Sequence, residues 1–117
     1  MNDNILGSIR HATGLGDEHV FFDPDLVMHI NSVFDILHQL GIGPSGGFKL
    51  ETGEELWSEF LGDSETLEMV KTYMYMSVKL VFDPPQNSFL VKQLEDTKKE
   101  YEWRMNVGAE SKLWKRG

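Results

Sequence analysis

The chain has 117 residues and not one cysteine. That absence excludes a disulfide framework, a thiolate metal site and a thiol nucleophile. Long apolar runs are missing as well, and no window approaches the ~18–20 residues that span a bilayer. The opening Met1-Asn2-Asp3-Asn4 lacks the basic start and apolar stretch of a signal peptide. A soluble protein made in the cytoplasm, with no membrane partner, is therefore expected. Positive charge is scarce: 11 Lys and Arg stand against 19 Asp and Glu, a net charge of −8. A groove for duplex DNA needs clustered bases, so this composition argues against one. There is no internal repeat and no low-complexity tract.

What remains is ordinary for a folded domain. Hydrophobic residues make up 40% and charged residues 26%, outside the disordered range. The length suits one domain with one core. The charge is unevenly spread. From Asp17 to Glu68 there are twelve acids and one base, Lys49, a net −11. From Lys71 onward nine bases and six acids give +3. An acidic body with a mildly basic final third favours contacts between copies.

The hydrophobic pattern predicts an all-α fold, a compact bundle of four to five helices. Asn2 or Asp3 caps a first helix carrying Ile5, Leu6 and Ile9, which stops at Gly14. Asp23 caps a second, with Pro24 at its first position and a stripe of Leu26, Ile30, Val33, Leu37 and Leu40. Val27 and Phe34 widen that stripe, and Gly41 ends it. A short β-hairpin or strand is expected near 48–50. Thr52 and Glu55 fit a capping box before a short helix with Leu56, Trp57, Phe60 and Leu61. The next helix starts at Asp63 or Ser64 and runs to about Phe82. Leu67, Val70, Met74, Val78 and Val81 share a face, and so many other apolar residues surround them that this helix belongs centrally or between subunits. Asp83-Pro84-Pro85 breaks it. The last helix starts at Asn87 or Ser88, places Leu90, Leu94, Thr97, Tyr101 and Met105 on one face, and closes at Gly108. Glu95–Lys99, Lys92–Asp96 and Glu100–Arg104 form i,i+4 pairs on its outer side. This divides the chain into a helical domain, 1–108, and an extended tail, 109–117.

Chemistry-bearing motifs are few. Gly41-Ile42-Gly43-Pro44-Ser45-Gly46 matches G-x-G-x-x-G, but a helix precedes it and Pro44 interrupts it. A helix C-cap and tight turn explains it better than a dinucleotide fingerprint. His11, His19, His29 and His38 show no metal-ligand spacing. No catalytic, metal or cofactor site is expected, and no enzyme activity. The acidic run Glu51, Glu54, Glu55, Glu59, Asp63, Glu65 and Glu68 lacks the order of a calcium loop and reads as a solvated face. Trp57 is expected in the core. Trp114, within Lys112-Leu113-Trp114-Lys115-Arg116, is either disordered with its tail or an anchor reaching a partner.

Ile5-Leu6-Gly7-Ser8-Ile9-Arg10, Phe22-Asp23-Pro24-Asp25-Leu26-Val27-Met28-His29-Ile30-Asn31-Ser32-Val33-Phe34, Leu40-Gly41-Ile42-Gly43-Pro44, Val70-Lys71-Thr72-Tyr73-Met74-Tyr75-Met76 and Leu80-Val81-Phe82-Asp83-Pro84-Pro85 together resemble the small helical head–tail connector (adaptor) family of long-tailed bacteriophages. The resemblance covers roughly residues 4–106 and leaves the tail after Gly108 unmatched. It implies a structural virion protein of the neck that joins a ring, usually of twelve copies, beneath the portal. It also implies contact with portal, stopper or tail-completion proteins, and transient, non-specific contact with packaged DNA. On that reading Glu51, Glu54, Glu55, Glu59, Asp63, Glu65 and Glu68 line a channel through which DNA slides. Lys112, Leu113, Trp114, Lys115 and Arg116 dock on the portal. Two other roles compete: a head-completion stopper or tail-completion protein, and an acidic helical regulator that mimics DNA to bind a basic partner.

Overall fold

The computed structural model describes the backbone of residues 3–14, 24–61 and 65–116, and the side chains of all these except 65 and 108–116. Five helices follow in order: α1 (Ile5–Ala12), α2 (Pro24–Gln39), α3 (Trp57–Phe60), α4 (Glu65–Phe82) and α5 (Ser88–Arg116). The fold is all-α, as the periodicity predicts. Helix α4 is central: α1, α2 and α5 all pack on it. Val70, Tyr73, Met74, Met76 and Val78 of α4 are buried. Val81, assigned to the same inner face, is instead 57% exposed, while the next residue, Phe82, packs against the core.

Helix α2 buries the expected stripe, Leu26, Val27, Ile30, Val33, Phe34 and Leu37, with Leu40 half-buried against the core. Asp23, expected as its cap, lies outside the described residues. Its C-terminus forms a Schellman motif. The Gly41 N–H donates to the His38 carbonyl at 3.0 Å and the Ile42 N–H to the Leu37 carbonyl at 2.9 Å. Gly41 takes φ +89°, a conformation that glycine adopts without the steric cost other residues meet. The G-x-G-x-x-G string is therefore a helix terminator and turn. Its second glycine, Gly43, is needed for space: at φ +95°, an added Cβ would lie 2.5 Å from the Phe60 ring.

The cap of α1 is Asn4, not Asn2 or Asp3. Its Oδ1 accepts the Gly7 N–H at 2.6 Å, while its Nδ2 donates to the Gly53 carbonyl at 3.0 Å. Around it the chain makes an isolated antiparallel bridge between Asn4 and Leu56. The Trp57 N–H donates to the Asp3 carbonyl at 2.8 Å and the Ile5 N–H to the Glu55 carbonyl at 3.0 Å.

No strand or hairpin forms at 48–50 among the described residues. Instead the Asn31 side chain acts as a one-residue strand partner. Its Oδ1 accepts the Leu50 N–H at 2.7 Å and its Nδ2 donates to the Leu50 carbonyl at 3.1 Å. Both backbone groups of a buried residue are thereby satisfied, and Leu50 drops into the core. Next to it, Phe34, Phe48 and Phe60 cluster with centroids 4.7–5.4 Å apart, in the tilted and edge-to-face geometries that aromatic quadrupoles favour.

The tail is not extended and α5 does not close at Gly108: its backbone stays helical to Arg116. One glycine costs a helix only about 1 kcal/mol, less than the propagation of a helix 29 residues long can absorb. At its start, the Phe89 N–H donates to Asn87 Oδ1 at 2.8 Å, a cap of the expected kind. Leu94, Thr97, Tyr101 and Met105 face the body, whereas Leu90, assigned to that row, is 49% exposed. The Lys92–Asp96 and Arg104–Glu100 pairs close at 3.2 and 2.6 Å. Among the described residues the third pair, Glu95–Lys99, does not close.

Candidate functional site

The acidic run divides into two kinds of carboxylate. Glu55 is committed to the backbone beside it. Its Oε2 accepts the N–H groups of Glu51 at 2.8 Å and Thr52 at 3.1 Å, and its Oε1 accepts that of Gly53 at 3.0 Å. Burial pushes its pKa up, but these donors outweigh it and hold the carboxyl below the usual glutamate value. The expected capping box is half present. Glu55 takes the Thr52 N–H, but Thr52 Oγ1 accepts from Glu54 at 3.1 Å rather than from Glu55. The arrangement closes a loop and does not start a helix, because α3 begins five residues after Thr52. There Glu59 Oε1 accepts the Leu56 N–H at 2.8 Å, which satisfies one of the donors that a helix start leaves open.

Glu51, Glu54 and Glu68 remain exposed. Glu68 lies 3.7 Å from Lys71, an exposed pair worth little. Glu65 opens α4, with its side chain outside the described set, as is Asp63 entirely. The structure thus leaves Glu51 and Glu54 as outward charges on one loop and Glu68 on α4, and it withdraws Glu55 and Glu59 into local bonding. Lys112, Leu113, Trp114, Lys115 and Arg116 occupy the helical end of α5.

Trp57 is in the core, 1% exposed, with its indole N–H donating to Ser8 Oγ at 2.9 Å. This bond ties α3 to α1. The α4–α5 contact has its own polar link: the Tyr73 hydroxyl donates to Glu102 Oε2 at 2.6 Å, and Lys98 Nζ lies 5.6 Å from the Tyr73 ring. Burial, followed by the Glu102 bond and charge, pushes the Tyr73 pKa far above the ordinary phenol value, so the hydroxyl remains a donor. His29 is half-buried. Its Nε2 is 3.1 Å from the Ser77 carbonyl and its ring meets Phe82 edge-on. His11 and His38 are exposed near the C-terminal ends of their helices, and His19 is outside the described residues. Among the described residues no group of His, Asp and Glu is arranged to hold a metal ion, and no helix is long and apolar enough to cross a membrane.

Two features depend on the folded chain and not on local periodicity. Asn31 sits within an apolar helix stripe, and asparagine's poor helix propensity was the one available sign of its special role. A cleft of about 560 Å³ lies between α2 and the 46–51 segment that Asn31 anchors, lined among others by Phe34, Asp35, His38, Phe48, Lys49 and Glu51. It depends on a contact 19 residues apart in sequence, which periodicity does not report. Trp103 is the other feature. It lies two residues before the buried Met105, which turns it away from the body and leaves it 66% exposed.

No curated protein and no solved structure shows a significant match to the chain. A family model described as phage connector protein matches residues 5–112. The match extends beyond the 4–106 span of the sequence resemblance and takes in part of the segment after Gly108. It covers nearly the whole helical fold, from the first turn of α1 into the last turns of α5. The family is structural and not a class of enzymes. The chain belongs to the phage connector protein family.

Proposed function

We propose that the protein is a head–tail connector subunit that assembles as a ring beneath the portal, extends the DNA channel and presents a platform to stopper or tail proteins. The observation that carries this reading is the family match across residues 5–112. The charge distribution supports it. The −11 between Asp17 and Glu68 suits a wall past which DNA slides without binding, since negative side chains repel phosphates. Glu54 and Glu68 are the described carboxylates that stay exposed there, with Glu51 at the rim of the cleft beside α2, and Asp63 and Glu65 extend the set by sequence. The basic segment Lys112–Arg116 is the docking element. It ends a helix, so a helix-in-groove contact with an acidic or apolar site on the portal fits it, and Trp114 and Arg116 are residue types that anchor interfaces.

Deleting residues 109–117 tests the docking role. The truncated protein is expected to stay folded, because among the described residues every buried core residue lies at or before Met105, and to fail to join portal-containing heads. Normal incorporation and infectious particles would overturn the role given to this segment.

A further inference from the structure

Among the described residues a cleft beside α2 and an exposed tryptophan on α5 stand out. The cleft lies on α2, edged by Asp35 and Glu51, and is lined at its inner side by Phe34 and Phe48. Trp103 stands on the outer side of α5, with Val107 one turn further along at 41% exposure. Lys99, one turn before it, is also exposed. Helices α2 and α5 both pack on α4, and α5 turns Tyr101 and Met105 inward. Trp103 is 66% exposed and does not line the cleft of its own chain, so it is available to a second copy.

We propose that the cleft between α2 and residues 46–51 receives Trp103 from a second copy of this chain. Charge complementarity and size support that occupant. The cleft carries Asp35 and Glu51 against Lys49, within an acidic body, while the approaching surface carries Lys99 and Arg104 around an indole. An indole seated against the half-buried Phe48 gains aromatic contact in addition to the area it buries, and the exposed Arg104–Glu100 pair is weak enough to rearrange. The contact is heterologous, because donor and acceptor are different surfaces, so it propagates from copy to copy and closes when the rotation permits. It rests on the ring reading above and specifies which surfaces that ring joins.

The absence of cysteine makes the test direct. Val107→Cys on one differently tagged copy is mixed with His38→Cys or Glu51→Cys on another, flanking the cleft from either side, and oxidised. At least one mixed pair is expected to form a disulfide dimer well above the yield with His11→Cys, an exposed position on α1. Adding Trp103→Ala to the Val107→Cys copy is expected to lower that yield about tenfold or more, with helical circular dichroism unchanged. Yields no higher than the His11→Cys control, or indifferent to Trp103→Ala, would overturn the proposal. The same pairs in assembled heads separate the two readings. A neck ring without this crosslink rejects the Trp103 contact alone, and heads containing no ring of this chain reject the ring.

Discussion

At the scale of single residues, much of the fold depends on groups that accept or make room for backbone. Glu55 accepts three N–H groups within the 51–53 turn, and the carbonyl of that same residue holds Ile5. Glu55→Ala leaves those donors to water and frees the loop, at a cost of roughly 1–3 kcal/mol for hydrogen bonds to a charged acceptor. The pH dependence follows from the lowered pKa. Stability from Glu55 is fully present above the ordinary glutamate value of about 4.5 and is lost as pH falls through the lower folded value. Denaturant melts should therefore show a gap between wild type and Glu55→Ala at neutral pH that narrows below about pH 4. Gly43 makes the opposite kind of contribution. Phe60 is 3% exposed and held between Phe34 and Phe48, so it cannot withdraw from a new Cβ. Gly43→Ala combines that overlap with strain at positive φ and should cost about 1–3 kcal/mol, read as a lower unfolding midpoint.

At the scale of elements, apolar spacing and glycine punctuation identified each helix. The α2 stripe from Leu26 to Leu37 and its end at Gly41 were legible because both signals are local. The 48–50 segment was not. Its alternation looks like a strand, yet its partner is an asparagine side chain on a helix, a long-range choice that propensity does not encode. Gly108 misled for a related reason. Glycine often ends helices, but ending one also requires the chain to turn, and nothing after Gly108 forces a turn. This gives an experiment on the element itself. If α5 continues through residue 108, Gly108→Ala should stabilise the helix by up to about 1 kcal/mol and raise the helical circular dichroism signal, while Gly108→Pro should lower it. An extended tail would leave both signals close to wild type.

At the scale of the whole molecule, α4 organises the fold and leaves the outer sides of α2 and α5 for other partners. The connector family was legible in the order of the five quoted segments. The inter-copy surfaces were not, because the cleft exists only after Asn31 has fixed residue 50, and Trp103 becomes conspicuous only once Met105 shows which way α5 faces. Charge reads the same way at both scales. The sequence locates the acidic body, and the structure shows that Glu55 and Glu59 of it serve the loop and the α3 start, while Glu51, Glu54 and Glu68 are exposed.

Cryo-electron microscopy of tailed particles carrying a tagged copy of this chain locates it within the virion. The tag is expected in a ring coaxial with the DNA channel, beneath the portal, with the C-terminal end of α5 against it. Complete particles whose neck contains no copy of the chain would contradict this placement.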